Sequence, residues 1–182
     1  MNSFGSGFAQ HGSRQRGAAL IVALIMLLVM TLLGVTIART TTMQERMAGN
    51  LRNKSIAFEA AETVLREGEA WVAAQIGGER PQAIAPASCG SPPCDVLTQN
   101  ALDPFAAATW DPGTDVRTGT QVAESAAAPQ YFIEQRQVVR DSLNIGQSTD
   151  ENARIYYRTT ARAVGGNTTA VSILRTEYAA RF

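Results

Sequence analysis

The sequence predicts an α+β chain. One long N-terminal helix, apolar enough in its first half to cross a membrane, packs on a C-terminal antiparallel sheet of three to four strands. Three observations predict this. No charged residue occurs for 22 positions between Arg16 and Arg39. From Thr40 to Ile76 there is no proline, and apolar residues recur at helical spacing. Beyond residue 130, apolar and polar residues alternate with the period of two that a strand imposes.

The apolar segment comes first. Residues 18–38 read AALIVALIMLLVMTLLGVTIA, and a helix of that length spans about 30 Å, the thickness of a bilayer's hydrocarbon core. The buried helix of a globular domain is rarely apolar on every face over such a length. Arg14 and Arg16 precede the segment, so the positive-inside rule places the N-terminus in the cytoplasm and the bulk of the chain outside; Arg39 and Arg46 beyond it weaken that bias. A secretory signal has a shorter apolar core followed by a small-x-small site, and Thr36-Ile37-Ala38 matches that poorly. The better junction is Gly17-Ala18, where glycine stands directly before the apolar run with basic residues upstream. A cut there removes a polar, Gly- and Ser-rich leader, residues 1–17, and keeps the helix.

Residues 39–76 continue the helix. Met43, Met47 and Leu51 step by four, then Leu51, Phe58, Leu65 and Val72 by seven, with Ala61, Trp71 and Ile76 widening the stripe. The expectation is that the sheet buries its apolar face on this stripe from Met47 to Ile76. Glu62 and Arg66 stand in the favourable i,i+4 order. Gly49 and Gly68 are weak points, each costing on the order of 1 kcal/mol relative to alanine. Gly77-Gly78 supplies the stop, with Pro81 beyond. A signal anchor followed by a stalk or coiled coil is the competing reading of the heptad steps, though Lys54 and Gly68 interrupt the seam.

All seven prolines fall between Pro81 and Pro129, so residues 77–129 read as loop and turn. Within it, residues 81–129 carry five acids and one base, Arg117. Asp95, Asp103, Asp111 and Asp115 lie too far apart for an EF-hand loop and read as solvated loop acids. Cys89 and Cys94 are separated by four residues, neither the redox C-x-x-C spacing nor a zinc knuckle, and no further cysteine exists to complete a metal site. In an oxidising compartment they read as a small disulfide loop that shapes the segment without holding the domain together.

In residues 130–182, positions 131–139 have strand composition. Positions 154–164 alternate, with Ile155, Tyr157, Thr159, Ala161 and Ala163 on one face and Arg154, Tyr156, Arg158, Thr160 and Arg162 on the other. Gly165-Gly166-Asn167 reads as a hairpin turn, and residues 168–178 return. The return strand shifts phase, placing Val171 and Ile173 on one face and Leu174, Thr176 and Tyr178 on the other. A bulge near Ile173 or a strand buried on both faces accounts for this. Arg154, Arg158 and Arg162 form either a basic stripe for DNA or cross-strand pairs with residues such as Glu177.

Charge decides between these and excludes other classes. Sixteen Lys and Arg balance sixteen Asp and Glu, which disfavours a nucleic-acid-coating surface. His11 is the only histidine and lies in the leader. The processed chain would therefore have no His for a Ser-His-Asp or Cys-His relay, a zinc site or a proton switch. Lys54 is the only lysine and follows Asn53, not the glycine of a phosphate-binding loop. No catalytic residue, cofactor site or metal site is expected.

The run ALIVALIMLLVMTLLGV…ARTTTMQERMAGNLRNKSIAFEAAE, behind a short basic leader ending in glycine, resembles the N-terminus of PilX-type minor pilins of type IV pili, over about residues 16–70. The resemblance implies a pilin-like fold. It also implies cleavage after Gly17 by prepilin peptidase, N-methylation of Ala18, and insertion in the inner membrane as a single-pass precursor with a periplasmic head that later joins the pilus at the cell surface. It further implies a low-copy subunit that primes assembly at the tip and supports piliation, twitching motility and adhesion. Its partners would be other minor pilins (PilV, PilW and FimU types), the major pilin and a PilY-type tip adhesin. Two residues depart from the general pilin pattern. Ala18 replaces the usual first Phe, and Val22 stands where most pilins carry a Glu that neutralises a neighbour's N-terminal amine. A type II secretion pseudopilin shares the architecture, and a signal-anchored periplasmic sensor or binding module is the alternative from another class.

Overall fold

The computed structural model describes residues 16–140 and 153–181; leader positions 1–15 and positions 141–152 lie outside the described residues. Helix α1 runs Arg16–Ala74, 59 residues. Strands β1 (Arg117–Thr118), β2 (Gln130–Arg140), β3 (Ala153–Val164) and β4 (Val171–Arg181) follow. The chain divides into two compact units, residues 1–47 and 48–182.

In the first unit the described part is helix alone. Ala, Leu and Met, all strong helix formers, dominate its apolar run. Every side chain from residue 17 to 47 is exposed. The hydroxyls within the run are satisfied by the helix itself, Thr31 donating to the Leu28 carbonyl at 2.8 Å and Thr36 to the Leu32 carbonyl at 2.8 Å. A threonine bonded back to its own helix brings no unpaired donor into an apolar phase.

In the second unit, residues 48–74 of α1 lie on a four-stranded sheet of order β1-β2-β3-β4, antiparallel throughout. The helix ends in turns at Gln75 and Ile76, and Gly77 adopts φ +89°, the left-handed conformation that closes helices and favours glycine. On β3 the alternation is as the sequence reads: Ile155, Tyr157, Thr159, Ala161 and Ala163 are buried towards the helix. β4 pairs with β3 without interruption, Ile173 opposite Arg162 and Leu174 opposite Ala161. There is thus no bulge at Ile173. Val171 and Ile173 are half-buried on the outer face, while Leu174 and Tyr178 pack towards the helix. The bulge lies instead in β2, between Gln135 and Gln137.

The helix stripe differs from the heptad reading. The buried positions are Ala57, Ala60, Ala61, Val64, Leu65 and Val72, whereas Met47 is 59 % exposed, Leu51 72 % and Phe58 46 %; Ile76 is also exposed. Steps of seven drift around a straight helix by about 20° each, so a line through Leu51 and Leu65 cannot stay on one flat sheet. The sheet selects small side chains, because they let the two backbones approach. Gly68 marks one such close approach: a Cβ there would stand 2.6 Å from Thr159 Cγ2. The main core joins this stripe to Tyr131, Ile133, Ile155, Tyr157 and Ala161.

The proline-rich segment is mostly irregular, with short 3-10 turns at Pro86–Ser88 and Ala107–Trp110. It nevertheless builds a second core on the outer face of the sheet, where Leu97, Trp110, Val116 and Cys94 cover Phe132. Leu97 exchanges backbone hydrogen bonds with β2, its N–H donating to Ile133 O at 2.8 Å and its carbonyl accepting from Gln135 N at 2.9 Å. Consecutive residues therefore face opposite cores, Val96 the helix side and Leu97 the outer side, as in a strand.

Candidate functional site

Gly17, Ala18 and Val22 occupy the first turns of α1, all exposed, and nothing lies within 4 Å of the position a Cβ would take at Gly17. The large apolar side chains of residues 20–37 are between 47 % and 71 % exposed on every side of the helix. Leaving such a column in water is strongly unfavourable. This one helix is long and apolar enough to cross a membrane. The exposed line continues through Met43, Met47, Leu51 and Phe58.

Cys89 and Cys94 are bonded to each other, with Cα atoms 5.9 Å apart. Cys94 is buried in the outer core, and its N–H donates to Asp115 Oδ1 at 3.3 Å. Asp115 is thus not a solvated loop acid: it is 8 % exposed and ties the disulfide loop to the chain entering β1. The two sulfurs and the Asp115 carboxylate lie within 4.8 Å of one another, but bonded sulfurs offer no thiolate to a metal. Asp95 pairs with Arg117, whose guanidinium also lies 4.5 Å from the centre of the Trp71 ring. That cluster fastens β1 and the loop to the end of the helix.

Glu134 escapes a sequence reading, because it sits in a strand that alternates imperfectly. It lies on the outer face, 3 % exposed, and its carboxylate accepts from the Ala101 N–H at 3.0 Å. Burial pushes its pKa up, while the Ala101 and Leu102 amides, Arg158 and Arg175 pull the other way. The loop over the outer face is pinned at this carboxylate. Around it, Arg158 pairs with Glu177 at 2.9 Å, and Arg162 lies 5.8 Å from the Trp110 ring centre. These arginines are used within the head, Arg158 by the cross-strand pair the sequence offered. Burial also raises the Tyr157 pKa, opposed by the neighbouring Arg80.

The β3–β4 turn meets α1 more closely than any pattern foretold. A Cβ on Gly165 would fall 2.1 Å from the Asn53 carbonyl oxygen. The available signal was the Gly165-Gly166 pair, which serves close approach as well as turning.

A helix with an exposed apolar half and a second half clasped by an antiparallel sheet is the architecture of a pilin. Two family models match the chain, PilX N-terminal over residues 16–66 and Type IV pilus assembly protein PilX C-term over residues 72–180. The chain therefore belongs to the PilX family of type IV pilus minor pilins, which are structural subunits. No curated protein and no solved structure matches it significantly.

Proposed function

We propose that this chain is made as a single-pass inner-membrane precursor with its N-terminus cytoplasmic. Prepilin peptidase cuts it after Gly17 and methylates Ala18, and it then enters the pilus as a low-copy subunit at or near the tip. There it helps prime assembly with other minor pilins, the major pilin and a PilY-type adhesin, and so supports piliation, twitching motility and attachment. The observation that carries this reading is the exposed apolar column directly after Gly17. It needs an apolar environment on all sides, first the bilayer and then a core of parallel helices. N-terminal sequencing of the membrane-extracted protein tests the processing step. Methylated Ala18 is expected, whereas an intact Met1 would identify a simple anchor and a start at Arg39 a secretory signal. Loss of surface pili on deletion of the gene separates this role from that of a type II secretion pseudopilin, whose deletion leaves piliation intact.

Val22 supports the tip position. A buried amine without a carboxylate partner is costly, and a subunit with valine here offers none to its neighbour. The chain is therefore expected in the terminal segment of sheared pili by immunogold labelling, with Val22→Glu spreading it along the shaft. An even distribution of the wild type would remove the argument.

A further inference from the structure

A cleft of about 500 Å³ opens beside the Asn53–Gly165 contact, with Asn50, Asn53 and Lys54 on its helix wall and Asn167 and Thr169 on the wall formed by the β3–β4 turn. Lys54 is exposed and is the only lysine in the chain. Its ammonium donates to the Val171 carbonyl, and no carboxylate among the described residues pairs with it. Two other cations on this part of the helix are paired, Arg52 with Glu124 at 3.0 Å and Arg66 with Glu62 at 3.6 Å. An ammonium has three donors, so Lys54 retains two. The side chains of Asn50 and Asn53 have no hydrogen-bond partner among the described residues. Asn167 Oδ1 accepts from Thr169 Oγ1 at 2.8 Å and Ala170 N at 3.1 Å, which leaves its amide N–H groups for another acceptor.

A concave site with one uncompensated cation and several amide donors fits a carboxylate. A freely diffusing anion gains little from one exposed ammonium in physiological salt. An acid carried on a packed neighbour is held in place by the rest of its interface and meets Lys54 at high effective concentration. Glu124, whose backbone lies beside the same turn, is already taken by Arg52. We propose that this cleft receives an aspartate or glutamate side chain of an adjacent pilin subunit, with Lys54 as its counter-charge. The inference rests on the pilin reading above and adds a contact to it.

A single lysine makes the test direct. Sheared pili and detergent-dispersed membrane protein are treated with an amine-acetylating reagent, and modification of Lys54 is quantified by mass spectrometry. Acetylation in pili is expected to be roughly fivefold lower, because a charge-assisted hydrogen bond to a packed neighbour shields the amine from the reagent. A water-soluble carbodiimide applied to the same pili should join Lys54 to an acid of a different pilin chain. Lys54→Arg should abolish that adduct while its amount in pili stays within about twofold of wild type, since the guanidinium keeps the charge but does not couple. Equal acetylation in both samples overturns the inference, as does an adduct only to this chain's own acids, and both leave the pilin reading standing if the protein is present in pili. Its absence from pili, with an unprocessed N-terminus, would end both.

Discussion

At the scale of single residues, the head is organised around places where a side chain is missing. Gly68 looks like a defect when helix propensity alone is considered, yet it lies where α1 packs tightly on β3, facing the stiff, buried Thr159. Adding a methyl there forces a shift of one backbone against the other, and overpacking of this kind costs about 1–3 kcal/mol. The gain in helix propensity returns only about 1 kcal/mol. Gly49 is the internal comparison, exposed on the same helix with nothing near its missing Cβ. Gly49→Ala is therefore expected to raise the melting temperature slightly and Gly68→Ala to lower it by several degrees, as read by thermal unfolding followed by circular dichroism. A Gly68→Ala variant at least as stable as wild type would mean that the close approach does not matter.

At the scale of elements, the helix and the long strands were legible because their periods are long and regular. The apolar run without a charge, the absence of proline before Pro81, and the five alternating positions of β3 each fix an element by repetition. What was not legible was which helix residues face the sheet and what the proline-rich segment does. Size misled on the first count, since Leu51 and Phe58 are the more hydrophobic residues but alanines and a glycine permit contact. On the second, Leu97, Trp110 and Val116 carry no period and become a core only when the segment folds back over Phe132. The junction proposed at Gly17-Ala18 rests on a composition boundary in the sequence, whereas the Lys54 cleft depends on a turn more than a hundred residues away. Two predictions belong to that outer layer. Replacing Cys89 and Cys94 with alanine opens a short ring whose closure is worth roughly 2 kcal/mol. Urea denaturation should show a loss of about that size, while amide exchange in β3 and β4 stays protected.

Glu134 makes the same layer sensitive to pH. Its folded pKa is raised by burial, so folding favours the protonated form. The associated stabilisation is complete below the ordinary glutamate pKa and is lost as pH rises through the raised folded value. Glu134→Gln keeps an acceptor for the Ala101 amide and removes the titration. The stability of the variant relative to wild type should therefore increase from acid pH, near the ordinary glutamate value, to neutral pH. Paired thermal melts at the two ends measure it, and a difference independent of pH would show that Glu134 does not titrate in this window.

At the scale of the whole molecule, the two units answer to different solvents. No described side chain before residue 53 is even partly buried, so the apolar half of α1 contributes nothing to the core of the head. The first residues that do engage the head are Arg52, through Glu124, and Asn53, beneath Gly165; the buried stripe follows from Ala57. A fragment beginning at Ala48 should therefore fold as a soluble monomer with a cooperative transition, having lost the residues that require an apolar phase and none that build the core. A fragment beginning at Ile56 keeps the buried stripe but loses the turn's seat, Asn53 beneath Gly165 and Lys54 on the Val171 carbonyl, together with the Arg52–Glu124 pair. The exposed pair is worth at most about 1 kcal/mol, so a loss clearly beyond that reports on the seat of the β3–β4 turn. The expected difference between the fragments is about 1–3 kcal/mol, the range for disturbing a tightly packed contact, measured by urea denaturation. If the two prove equally stable, the Asn53–Gly165 contact carries no weight in the isolated head. If the longer fragment fails to fold, the apolar half of α1 supports the head in a way its exposure does not indicate.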